Sequence, residues 1–212
     1  MLLNPDNKVF DIYKDILSFN DKPYLSYKSL FLSWMSGLVE PKTYIEVGVH
    51  RLSNFAFLNS VLPSSVEMVG FDLFDESPPG EHAPPELPFS FQESNNIVDK
   101  WDRKVSLIKG NTKKTLSGNW NISIKNPVLV YLDGGHSYET VKSDFLNVYN
   151  KIENGFIIMD DWVNPNVLGN GYNKYGFRFN YDKNKNFRFM DGTWKFAKEL
   201  EESEVNVTYI SD

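Results

Sequence analysis

The segment from Val130 to Glu139 (Val-Tyr-Leu-Asp-Gly-Gly-His-Ser-Tyr-Glu) holds the residues best suited to chemistry. An apolar run delivers Asp133, two glycines turn the chain, and His136 opens the next predicted helix. A second apolar run, Phe156 to Met159, ends in Asp160 and Asp161. Carboxylates gathered in a poorly hydrated cleft repel one another unless a cation sits between them. The chain has no cysteine, and oxygen ligands alone favour Mg²⁺, Mn²⁺ or Ca²⁺ over zinc. Three carboxylates would leave coordination positions open for water and substrate. His136 could accept a proton near neutral pH, the ordinary imidazole pKa being about 6.5. Plainer readings exist: an aspartate at a strand end often caps the next helix, Asp160-Asp161 before Trp162 suits a solvated turn, and a lone histidine is more often structural. The coincidence of two strands that each end in aspartate, with a histidine three residues after one of them, favours the site.

Three further turns suit a nucleotide-like ligand. The run Ile45-Glu46-Val47-Gly48-Val49-His50-Arg51-Leu52-Ser53 places an acid and a glycine where a strand meets a helix. Gly48 lets backbone approach a ligand, and the helix amino terminus that follows offers N–H groups. A dinucleotide site would prefer G-x-G-x-x-G, but only Gly48 survives, with His50 where the next glycine would be, so a pyrophosphate cradle is poorly supported. Asp72 ends a second run, Gly70-Phe71-Asp72, and an acid there can accept hydrogen bonds from ribose hydroxyls. Asn111, in Lys109-Gly110-Asn111-Thr112, could meet an adenine edge, although asparagine is common in turns for its own reasons.

These residues need strands to carry them. Short runs rich in Val, Ile and aromatics recur at 44–47, 66–71, 105–108, 128–132 and 156–159, and each predicts a strand. The run at 128–132 is continuously apolar, as expected of a central strand covered on both faces. Helical spacing links Leu30 to Leu38, Leu52 to Leu62, and Tyr138 to Ile152 with a stop at Asn154-Gly155. Strand alternating with helix predicts an α/β fold: a mainly parallel central sheet with helices on both faces and ligands along its carboxyl edge. Residues 76–92 carry five prolines, and residues 163–186 are rich in Asn, Gly, Tyr and Lys. Both read as loops that could close over a ligand, with Phe89, Phe91, Tyr172 and Tyr175 as candidate pocket aromatics.

Composition narrows the rest. At 212 residues the chain suits one domain, 1–212, with an N-terminal helical segment over 1–40. A net charge of −6 without a basic stripe argues against nucleic acid. No apolar run approaches a membrane span, and the first ten residues do not read as a secretory signal, so a cytoplasmic protein is expected. Segment 26–39 is amphipathic and could pack against a second subunit, making a homo-oligomer.

In these motifs the chain resembles the class I S-adenosylmethionine-dependent methyltransferases, with their Rossmann-like fold. It looks most like the metal-dependent O-methyltransferases of the macrocin type. Residues 44–50, 69–75, 108–112, 132–139, 155–161 and 191–197 carry the likeness. The resemblance implies that Glu46, Gly48, His50, Ser53, Asp72, Asn111 and Asp133 bind S-adenosylmethionine. It implies that Asp133, Asp160 and Asp161 bind a divalent cation, Mg²⁺ foremost, and that His136 is the general base acting on a hydroxyl of a small-molecule acceptor such as a sugar or natural product. The chain departs from the family's pattern at Arg51-Leu52, where a glycine and a small residue are usual. The alternatives are a non-catalytic S-adenosylmethionine-binding or interaction module, a hydroxylase-like relative of the same fold, and, less well supported, a nicotinamide dehydrogenase.

Overall fold

The computed structural model describes residues 27–75, 89–120, 122–160 and 192–203. Five strands, β1 (Thr43–Val47), β2 (Glu67–Asp72), β3 (Val105–Lys109), β4 (Val128–Leu132) and β5 (Gly155–Met159), form one sheet in the order β3-β2-β1-β4-β5. Every neighbouring pair is parallel. All five coincide, to within a residue at each end, with the predicted runs. Between them lie α1 (Tyr27–Val39), α2 (Ser53–Val61), α3 (Phe91–Val98), α4 (Thr112–Thr115), α5 (Tyr138–Tyr149) and α6 (Gly192–Glu201).

The two-residue period of a strand sorts its side chains onto two faces. Tyr44, Met68, Leu129 and Tyr131 face one core with Leu32 of α1, Phe55 and Leu58 of α2 and Val98 of α3. Ile45, Val47, Val69, Phe71, Val128 and Val130 face the other, with Phe145 of α5 and Phe196 of α6. Most of these side chains are wholly buried, and each contributes about 1.5–3 kcal/mol by leaving water. The apolar face of α1 is used within the chain: Leu32 is fully buried while Leu38 is exposed.

Two helix boundaries differ from expectation. Residues 91–92, at the end of the proline-rich stretch read as loop, are the first turn of α3. Ser90 accepts from the Glu93 N–H while Glu93 accepts from the Ser90 N–H, a reciprocal cap that overrides the breaker-rich sequence before it. Helix α5 stops at Tyr149 rather than running to Ile152, and Gly155 begins β5 instead of ending the helix. The candidate loop 163–186, Tyr172 and Tyr175 included, lies outside the described residues, as do 76–88. Among the described residues no helix is long and apolar enough to cross a membrane.

The strand order reverses between β1 and β4, so their two outgoing turns part there and open a crevice. At its floor the turns nearly touch. Gly48 has φ of 92°, and a Cβ on it would lie 2.1 Å from the Asp133 carbonyl oxygen. Gly48→Ala should therefore cost about 3 kcal/mol in stability. Urea denaturation of the variant is the measurement, and a loss below about 0.5 kcal/mol would show that the turns can separate freely.

Candidate active site

Five of the expected cofactor residues, Glu46, Gly48, His50, Ser53 and Asp133, line one hollow of about 130 Å³ in the crevice, completed by Val49, Arg51 and Asn54. Despite the departures from the glycine pattern, His50 and Leu52 both hold left-handed backbone, at φ of 45° and 61°. An L-residue there costs about 1 kcal/mol or more. Leu52 offsets that cost by burying its side chain completely in the core beneath α2. The His50 N–H donates to Asp72 Oδ2 at 2.7 Å. Leu52 occupies the cap position of α2 and has no side-chain oxygen to give it. The start of that helix thus meets the hollow without a side-chain cap, the arrangement that suits a negatively charged or carbonyl-bearing ligand.

Asp72 ends β2 as predicted, and its carboxylate ties two turns together. Besides the His50 N–H it accepts the Phe74 N–H at 2.8 Å. Asn111 follows β3, where its side chain caps α4 by accepting the Lys113 N–H at 3.0 Å. Of the four candidate pocket aromatics, the two among the described residues are Phe89, which lies under the Arg51 guanidinium at 4.9 Å, and Phe91, which packs edge-on against Phe74.

Sequence reasoning passed over a repeated signal in the two central strands. Tyr44-x-Glu46 and Tyr131-x-Asp133 place a phenol two residues before an acid, hence on the same sheet face. The register puts Glu46 opposite Tyr131, so the two pairs are adjacent. Tyr44 Oη donates to Glu46 Oε2 at 2.6 Å. Tyr131 Oη donates to Asp160 Oδ2 at 2.5 Å and lies 3.3 Å from Asp133 Oδ2. Burial and the neighbouring acids push both phenols well above their ordinary pKa, so they stay protonated donors. Glu46 is 2% exposed. Desolvation above all raises its pKa to about 8, against the opposing pull of the Tyr44 hydrogen bond.

The expected carboxylate convergence is present for the two described members. Asp133 and Asp160 share the Tyr131 hydroxyl, and both face the ammonium of Lys28, from the first turn of α1: it pairs with Asp160 and lies 3.7 Å from Asp133. Asp161 lies outside the described residues. Among the described residues no group of three or more His, Asp or Glu side chains could hold a metal ion. The cation between these two carboxylates is a lysine. His136 lies three residues beyond Asp133. Its turn is pinned by the start of α6, since a Cβ on Gly192 would fall 2.2 Å from the His136 carbonyl oxygen.

A parallel α/β sheet with a glycine turn, a buried acid and a hollow at its switch point is the doubly wound architecture, whose ligands bind at that point. A family model described as "Methyltransferase domain" matches residues 45–162, more than half of the chain. The chain belongs to that methyltransferase-domain family. No curated protein matches the chain. Among solved structures it is similar to a putative O-methyltransferase from Klebsiella pneumoniae (TM-score 0.57, 13% identity, covering 96% of this chain and 81% of that one). It is also similar to an O-methyltransferase from Bacillus cereus in complex with SAH (0.56, 13%, 96% and 83%). A third, the SAH-bound methyltransferase PaMTH1 from Podospora anserina, matches at 0.54 and 15% identity over 96% and 91%. At these identities the likeness is one of fold, and it covers the sheet and helices described above.

The raised pKa of Glu46 makes stability depend on pH. The folded state holds a proton that the unfolded state releases above about pH 4.5, so this contribution falls as pH rises from about 4.5 through about 8. Asp144, buried on α5 and raised to about 6, adds a slope of the same sign at lower pH. Glu46→Gln should therefore flatten the decline in unfolding free energy between pH 6 and pH 8 relative to wild type. Urea melts across that range are the check, and parallel curves for the two proteins would contradict the assignment.

Proposed function

We propose that this protein is an S-adenosylmethionine-dependent O-methyltransferase acting on a hydroxyl of a small molecule. Membership of the methyltransferase-domain family supports the class, and the printed titles of two structural neighbours name SAH as their ligand. The observation that carries the reading is Glu46: a nearly dry carboxyl group, hydrogen-bonded by Tyr44, on the wall of a hollow beside a glycine turn. Such a group suits a ligand that brings its own positive charge, since an adjacent cation favours the carboxylate. The hollow, at about 130 Å³, is smaller than the roughly 300 Å³ of a complete ligand pocket. It fits the amino-acid end of the cofactor alone. Asp72, with lone pairs left beyond its two backbone partners, would take the ribose hydroxyls, and the turn at Asn111 would border the adenine.

S-adenosylmethionine supplies a methyl group already activated on a sulfonium. What remains for the protein is to position the acceptor oxygen in line and to remove its proton. His136, carried by the turn after β4, is the proposed base that accepts this proton as the new O–CH₃ bond forms and the S–CH₃ bond breaks. The positive charge thereby passes from the sulfonium to the imidazole, and total charge is conserved. A metal-assisted version, with Asp133, Asp160 and Asp161 as ligands, is favoured by the convergence of the first two carboxylates on Tyr131. The lysine between them speaks against it.

Calorimetry with S-adenosylmethionine at pH 7 in buffers of different ionisation enthalpy tests the reading. Binding should release up to about one proton as Glu46 ionises against the ligand's charge. Absence of binding overturns the proposal, and binding without proton release removes Glu46 from the charged part of the site. His136→Ala should lower the methyl-transfer rate by about 10²–10⁴-fold with cofactor affinity unchanged. An unaltered rate would take the histidine out of the chemistry.

A further inference from the structure

The first turn of α1 grips the crevice at two points. Ser29 Oγ donates to Asn54 Oδ1 at 2.5 Å, on the rim of the hollow. One residue earlier, Lys28 reaches the opposite side and pairs with Asp160, its ammonium 3.7 Å from Asp133. Leu32, one turn further along the same helix, is fully buried and fixes the helix in place. The lysine is thus delivered by a packed element to the gap between two acids that each arrive on a different strand. Both carboxylates are largely shielded, with side chains 21% and 18% exposed. A single positive charge there answers the repulsion that two such groups suffer when drawn together.

We propose that Lys28 is the resident cation of this carboxylate pair, a positioning residue that holds Asp133 and Asp160 in register and keeps a divalent ion from lodging between them. The inference rests on the preceding reading only in taking these acids to border the acceptor. It makes α1 part of the working site. With Lys28 removed, Asp133, Asp160 and the Tyr131 hydroxyl would be left around a gap lined with oxygen donors. That is a setting hard cations accept. With Lys28 present, a divalent ion entering the gap meets a like charge at a few ångströms, in a medium that screens poorly.

The test is Mn²⁺ titration, followed by the electron paramagnetic resonance of the free ion, on wild type, Lys28→Met and Lys28→Arg. Wild type and Lys28→Arg should bind Mn²⁺ weakly, and Lys28→Met should bind it about tenfold or more tightly. Equal affinity in wild type and Lys28→Met, including no binding by either, overturns the proposal. So does tight Mn²⁺ binding by wild type, a result that needs no variant. Lys28→Gln replaces the methionine variant if that fails to fold. S-adenosylmethionine affinity, measured on the same samples without metal, is read separately. Its absence throughout would defeat the methyltransferase reading while leaving the Mn²⁺ comparison to stand or fall alone.

Discussion

The Asp133 carbonyl oxygen occupies the space that a side chain at position 48 would need. That close passage of two backbones sets the rest of the crevice. It lets the Asp133 N–H donate to the Val47 carbonyl at 2.8 Å, while the Gly48 N–H donates to Phe71 at the same distance. Three strands are thereby joined at the level where their turns diverge. A hollow lined from both β1 and β4 requires those turns to begin close and then part. A side chain at residue 48 would force them apart at the floor and separate Glu46 from Asp133.

The left-handed turn after Gly48 shows how a glycine pattern can decay without loss of its geometry. A sequence motif records which residues tolerate positive φ cheaply; it does not record whether positive φ is present. At position 52 the buried leucine anchors the turn through its side chain, and at position 50 the Asp72 carboxylate anchors it through the backbone. Strain of about 1 kcal/mol at each is small beside the roughly 1.5–3 kcal/mol from burying a leucine. The turn is held from outside itself.

Strands were legible because each is a short, almost wholly apolar run, and a parallel sheet covered on both faces demands little else. Helix α3 was not, since its first turn follows a proline-rich stretch, although Ser90-x-x-Glu93 was there to be read. The candidate acids were visible at strand ends, and the pairing of Asp133 with Asp160 follows from β4 and β5 being neighbours. Lys28 was beyond reach. Nothing in the pattern of α1 marks one lysine as facing inward, and its partners lie more than a hundred residues away, so only the packing of α1 across the sheet edge brings it there. Tyr44 and Tyr131 were hidden differently: in an apolar strand a tyrosine reads as core, and only the register shows its hydroxyl beside an acid.

Acids near the crevice are stabilised in three separate ways, and the differences assign them different work. Asp72 accepts one backbone N–H on each oxygen, which fixes its direction. Asp133 and Asp160 share a lysine and a phenol, which hold the two carboxylates together. Glu46 has a tyrosine hydroxyl, and burial outweighs that bond and the Lys28 charge, raising its pKa to about 8. A group whose burial is not fully compensated is the one whose state a charged ligand can change most. The acids that end β2, β4 and β5 are thus fixed by their partners, and under the proposed function the acid of β1 is the one that responds to the ligand.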